Sequence, residues 1–287
     1  AQSGARADKA MQDIHAQRIL ILDFGSQYTQ LIARRVREIG VYCEIRAFDA
    51  TAEDIAEFDP KGIILSGGPE SVNIDNPPRV AQAVFELDVP VLGICYGMNV
   101  LHQLAGGHIA QADRREFGPA QLSVDDTADL FAGFSPNSST QVWMSHGDKM
   151  ESLPSGWKTL AHSDNSPIAA CRDDSGRFFG VQFHPEVVHT ECGKEVLQNF
   201  LFRICDCKPD WTMEGFIERE VRRIRDQVGD KQVVCGLSGG VDSAVVACDV
   251  GADASEEYVC AVFSGGGCFW IDRCAGGAVY FGGCGGW

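Results

Sequence analysis

Short apolar runs rich in β-branched residues alternate with amphipathic stretches along most of the chain. Arg18-Ile-Leu-Ile-Leu-Asp23 reads as a strand, and Phe24-Gly-Ser-Gln-Tyr28 leads into a helix expected to reach about Ile39. Val41 to Ala47 is the next strand, Ala52 to Phe58 a short helix, and Gly62-Ile-Ile-Leu-Ser66 a third strand. The strands are apolar throughout rather than alternating, as strands covered on both faces are. The order β-α-β-α-β therefore predicts an α/β fold, a doubly wound and mostly parallel sheet with helices on both faces. Val89 to Ile94 is another such strand, followed at once by Cys95 and then by a helix from Met98 to Ala105 that stops at Gly106-Gly107.

The pattern changes after Arg114-Arg-Glu-Phe-Gly118, where the chain turns β-rich. Val142 to Asp148 reads as a strand running into a polar loop. Phe178 to Phe183 is a further strand, and a helix from about Cys192 to Ile204 closes the unit. A second unit begins near Lys208. It opens with an amphipathic helix, Trp211 to Val228, carrying Phe216, Ile217, Val221 and Ile224 on one face. The strand Gln232 to Leu237 and a glycine-rich loop follow, the start of an incomplete second α/β domain. The divisions are thus a leader at 1–17 without periodicity, a first domain at 18–207, the start of a second at 208–250, and a tail at 251–287. That tail, Gly, Cys and aromatic residues in no period, is expected to be disordered, as is the leader.

Composition narrows the class. The chain has 287 residues, 45% of them hydrophobic, and a net charge of −16. That charge argues against nucleic acid or an anionic membrane as partner, and no apolar run is long enough to span a bilayer. Twelve cysteines are scattered through a large chain with no signal peptide, which points to reduced thiols and a cytoplasmic location. Cys205-Asp-Cys207 lacks the paired spacing of a zinc site, so no metal is expected.

Candidate chemistry gathers at three places. Gly93-Ile-Cys-Tyr-Gly97 joins a strand to a helix through a tight turn, the geometry of a nucleophile elbow. Such a turn pushes the Cys95 sulfur out at the carboxyl end of the strand and aims free helix amides at the reacting centre; a buried structural cysteine in an ordinary βα unit is the plain alternative. A thiolate needs a base, and His184-Pro-Glu186 supplies an imidazole with a carboxylate two residues on, on the same side of an extended segment. His146 and His189 compete for the role. Gly67-Gly-Pro-Glu-Ser71 follows the third strand, where its amides could donate to an oxyanion beside Cys95 or form a simple turn. Finally, Ser238-Gly-Gly-Val-Asp-Ser243 between a strand and a helix suits a phosphate, although it lacks the Gly-Lys-Ser/Thr ending of a Walker A loop.

Taken together, Ile19 to Gln30, Ile64 to Ser71, Gly93 to Met98, Val142 to Lys149 and Gly180 to Val187 resemble the glutamine-hydrolysing GMP synthetases. The likeness runs from about Arg18 to Ala247. The Cys with His-Pro-Glu alone would mark any class I glutamine amidotransferase, and the Ser-Gly-Gly-Val-Asp-Ser loop, similar to that of ATP pyrophosphatases, narrows it. The resemblance implies that Cys95 attacks the side-chain amide of glutamine, with His184 moving the proton, Glu186 orienting it, and the amides of Gly68 and Tyr96 as oxyanion hole. It implies substrate contacts from Asn99, Ser145 and His146, and ATP phosphate binding by Ser238, Gly239, Gly240, Asp242 and Ser243. ATP with Mg²⁺ and XMP would be the partners of the complete reaction, and a homodimer the assembly. Asn99 departs from the family, which has Gln there, and after about Cys248 the likeness ends. A free-standing glutaminase and a non-catalytic remnant are the competing readings.

Overall fold

The computed structural model describes residues 17–228, 234–237, 259–263, 268–274 and 278–283. They fall into two compact units, Ala1–Trp211 and Thr212–Trp287. In the first, β1 (Arg18–Asp23), α1 (Thr29–Glu38), β2 (Tyr42–Ala47), α2 (Ala52–Phe58), β3 (Gly62–Leu65), α3 (Ala83–Glu86), β4 (Val91–Ile94) and α4 (Tyr96–Leu104) alternate. A β-rich segment follows, with β5 (His108–Val124), β6 (Ser139–Ser152), β7 (Trp157–Ser163), β8 (Ala170–Asp173) and β9 (Phe178–Val181). The unit ends in α5 (Gly193–Gln198), which runs into a π-helical turn at Asn199–Ile204.

These strands form one sheet in the order β2-β1-β3-β4-β9-β8-β7-β5-β6. From β2 to β9 every pairing is parallel, and from β9 onward every pairing is antiparallel. The doubly wound half is as the apolar strands predict. Each is buried on both sides because its alternate residues enter different cores. Ile19, Ile21, Ile64, Leu92 and Ile94 pack with Ile32 and Val36 of α1 and Val196 and Leu197 of α5. Leu20, Leu22, Ile63, Leu65 and Val91 pack with Ile55 and Phe58 of α2, Val84 of α3 and Val100 and Leu101 of α4. Helix α2 starts at a reciprocal cap, Thr51 with Asp54.

Two expectations are corrected here. Ser145 to Asp148 is not a loop but part of the 14-residue strand β6, because β5 continues opposite it. And the closing helix is α-helical only to Gln198. The second unit contains α6 (Met213–Val228), whose first turn is capped by Thr212 Oγ1 accepting from the Gly215 amide at 3.1 Å. Along α6, Ile217 is exposed. β10 (Val234–Leu237) pairs in parallel with β11 (Val259–Phe263), and β12 (Cys268–Cys274) and β13 (Ala278–Gly283) add antiparallel. The described residues of 251–287 are thus those three strands, where the sequence pattern predicts no order. The leader at 1–16 and the loop Ser238-Gly-Gly-Val-Asp-Ser243 lie outside the described residues.

Candidate active site

Four parallel strands deliver their carboxyl ends to one place, where doubly wound sheets put ligands. β4 ends in Cys95, which takes φ 51° and ψ −105° as the N-cap of α4. A side chain in that region is held against a strain of order 1–3 kcal/mol. Its amide donates to Val181 O on β9 at 2.8 Å. Close approach of α4 to the sheet requires the two flanking glycines. A Cβ on Gly93 would stand 2.5 Å from the Gly97 carbonyl and the Met98 amide nitrogen, and one on Gly97 would strike Leu65 O. The sequence expects the helix from Met98; it begins two residues earlier, since the turn is completed by Cys95 alone.

β9 leads to His184 and Glu186. His184 Nδ1 lies 2.7 Å from Glu186 Oε1. The histidine is 3% and the glutamate 0% exposed, and Glu186 Oε2 has no partner. The segment is pinned on both sides: Thr190 Oγ1 donates to His184 O at 2.6 Å, His184 N to Trp143 O at 3.0 Å, and Arg35 Nε to Glu186 O at 3.0 Å. Burial pulls the His184 imidazolium down. The Glu186 carboxylate and the neighbouring Cys95 outweigh it, and the net result is well above the ordinary value. A Cβ on Gly67 would meet both His184 Cε1 at 3.0 Å and Cys95 Cβ at 3.8 Å, so His184 stands beside Cys95, while His146 lines the cavity that Cys95 also borders. His189 instead packs at a tilt against Trp143, with ring centroids 4.8 Å apart. Tyr28 contacts the His184 ring edge-on, with centroids 5.2 Å apart.

On the far side of Cys95 lies a cavity of about 250 Å³ lined by Gly68, Glu70, Tyr96, Asn99, Ser145, His146 and Asp148 among others. Every first-domain residue expected to contact the substrate or the oxyanion therefore meets Cys95 at this cavity. Gly68 packs against Phe24 and the Tyr96 ring. The loop that carries it is tied down by Ser66 Oγ, which accepts from Phe24 N at 3.0 Å and donates to Gly67 O at 2.7 Å. Asn99 is 3% exposed, and its Oδ1 has no partner. The Cys95 thiol donates to Ser145 O at 3.4 Å, and Gln182 Nε2 sits 3.8 Å from the same sulfur.

Sequence reasoning passes over Gln182, Glu116, Ser166 and Phe117. The last is 66% exposed at the cavity rim. Gln182 precedes Phe183-His184 directly and is legible as a neighbour of the base. Glu116 and Ser166 carry no local signal, because their partner His146 is distant in sequence. Among the described residues, no group of three or more His, Cys, Asp or Glu side chains is placed to hold a metal, and no helix is long and apolar enough to cross a membrane.

A cysteine at a strand-to-helix elbow thus stands at the head of a doubly wound α/β sheet, with a buried His–Glu pair beside it. The family profile of glutamine amidotransferase class-I matches residues 20–204; the chain belongs to that family. More particularly, it is 56% identical over 242 residues to GMP synthase [glutamine-hydrolyzing] of Actinobacillus pleuropneumoniae, covering 83% of this chain and 46% of that protein. It is 51% identical over 255 residues to the enzyme of the same name from Vibrio vulnificus, covering 89% of this chain and 49% of the relative. The chain thus spans about half the length of these curated relatives, matching their N-terminal half. A Thermoplasma acidophilum structure, provisionally assigned to GMP synthase, superposes with TM-score 0.62 at 27% identity, over 72% of this chain and 98% of that one. A glutamine amidotransferase from Thermotoga maritima, at 16% identity and TM-score 0.52 over 66% of this chain and 98% of that one, shares the fold.

Proposed function

We propose that this chain hydrolyses glutamine and supplies the ammonia for ATP-dependent amination of XMP to GMP. The observation that carries the first half is the Cys95 sulfur at the strand-to-helix elbow, beside a buried His184 that Glu186 holds at 2.7 Å. In this reading His184 takes the thiol proton and the Cys95 sulfur attacks the side-chain carbonyl carbon of glutamine. The amides of Gly68 and Tyr96 stabilise the resulting oxyanion. His184 returns the proton to the leaving nitrogen, ammonia departs, and a γ-glutamyl thioester remains on Cys95. A water deprotonated by His184 then releases glutamate. Asn99, Ser145 and His146 would hold the substrate.

The second half is supported by the identity to enzymes named GMP synthase. ATP with Mg²⁺ would activate XMP there, with Ser238, Gly239, Gly240, Asp242 and Ser243 as phosphate-binding residues. These fall outside the described residues. A cytoplasmic setting and the homodimer of that enzyme family belong to the same proposal.

The test is ammonia release from glutamine by the purified chain and its Cys95→Ala variant. Release by the parent and none by the variant, with the far-UV spectrum unchanged, is the expected result. A variant as fast as the parent removes Cys95 from the chemistry.

A further inference from the structure

The cavity beside Cys95 contains a second buried histidine whose ring is already committed at both nitrogens. His146 Nδ1 lies 2.9 Å from the carbonyl oxygen of Asp148, and Nε2 lies 3.1 Å from Glu116 Oε2. A carbonyl oxygen only accepts, so Nδ1 bears a hydrogen. A neutral imidazole then presents a bare lone pair at Nε2, facing an ionised carboxylate that is also acceptor-only. Two acceptors at that separation repel, whereas one proton between them makes a charge-assisted hydrogen bond. Ser166 Oγ stands 3.1 Å from Glu116 Oε2 and 3.4 Å from His146 Nε2, but its single hydrogen satisfies only one of them. The His146 and Glu116 side chains are 4% and 12% exposed, so bulk water contributes little.

The three groups come from three places: Glu116 from β5, His146 directly opposite it on β6, and Ser166 from the β7–β8 connection. The β5–β6 ladder loses its register between Gln111 and Glu116. Ser145 and His146 keep their partners Phe117 and Glu116, and Asp148 pairs with Gln111, so the irregularity falls at Gly147, within the stretch from Ser145 to Asp148. That stretch is one wall of the cavity, and its Ser145 carbonyl touches the Cys95 sulfur.

We propose that Glu116 and Ser166 are positioning residues that hold His146 through one proton shared between its Nε2 and the Glu116 carboxylate, and so set the Ser145–Asp148 wall against the substrate. The kinetic form of this rests on the glutaminase reading; its spectroscopic form does not. Around the His146 ring, burial disfavours the imidazolium most, the Asp148 carbonyl and the Glu116 carboxylate oppose it, and His184 adds to burial, leaving the value below 6.5. The shared proton is therefore lost as pH rises through the acid range below that value.

Two measurements decide it. In ring ¹⁵N NMR of the Cys95→Ala chain, His146 should keep its Nδ1–H at every pH and gain a second proton on Nε2 only at acid pH. In Glu116→Gln the carboxamide donates to neutral Nε2, and that second proton should vanish. In steady-state ammonia release, the parent KM should rise several-fold, up to about tenfold, as the proton is lost. Glu116→Gln should keep a low KM at all pH. Glu116→Ala should raise it at acid pH to the level the parent reaches once the proton is lost, with kcat within about threefold, and Ser166→Ala should raise it less. A bare Nδ1, or a parent-like KM in Glu116→Ala at acid pH, would overturn the assignment. The expected titration in a chain without turnover would leave the pair standing and remove the glutaminase reading instead.

Discussion

A fully buried carboxylate with one unpartnered oxygen is tolerated at Glu186 because the imidazole it grips takes the opposite charge on protonation. The folded value of His184 lies above its ordinary 6.5. The pairing therefore stabilises fully below 6.5 and is lost as pH rises through the folded value. Glu186→Gln keeps the shape and removes the charge, so the imidazolium formed after thiol deprotonation loses its counter-ion. We expect kcat to fall on the order of 10²- to 10⁴-fold, by analogy with other triads, with KM for glutamine little changed. Steady-state ammonia release checks this, and an unchanged kcat would remove Glu186 from the reaction. This pair is legible in sequence because residues two apart in an extended segment share a side. The Glu116–His146 pair is not, since its partners meet only when β5 folds onto β6.

Among elements, the turn from β4 into α4 leaves no room for side chains at its glycines. Gly97 has Leu65 Cβ 2.7 Å from where its own Cβ would lie, with backbone rather than a flexible tip in the way. Gly97→Ala should push α4 outward, costing about 3 kcal/mol, and should displace Cys95 with the helix N-terminus. Gly106→Ala is the contrast: a methyl there meets nothing, and only the left-handed backbone at φ 82° resists, worth about 1 kcal/mol. Urea midpoints for the two variants, with ammonia release alongside, test this; equal losses would mean that the close approach is not limiting. The elements legible beforehand, such as β1, α2 and β4, are those whose burial pattern is local. Helix α3 has four residues, too few for a period to show. The β5–β6 ribbon is misread at Ser145 to Asp148 because Gly147 and Asp148 are turn residues by composition, and only the irregular ladder opposite accommodates them in a strand.

At the scale of the whole first unit, the cysteines make a prediction that no single site does. Cys43, Cys171, Cys192, Cys205 and Cys207 are all free and buried. Burial is the leading cause that pushes Cys43, Cys192 and Cys207 up to about 11, and it raises Cys171 and Cys205 as well. In an unfolded chain each thiol ionises near about 8.5. The folded state therefore holds more protons than the unfolded one across the interval between these values, and stability must fall as pH rises through it. With about five protons involved, the slope approaches about 7 kcal/mol per pH unit. Domains are typically stable by about 5–15 kcal/mol, so the unit should unfold within one or two pH units above about 9. Burial also raises Tyr42 and Tyr96, which extends the loss past about pH 10. Urea unfolding under reductant, repeated at rising pH, gives the slope directly. Cys171→Ala should lower that slope by about one proton while reducing stability near neutrality through the cavity it leaves. A slope worth fewer than about two protons would show that these thiols reach water before the unit unfolds.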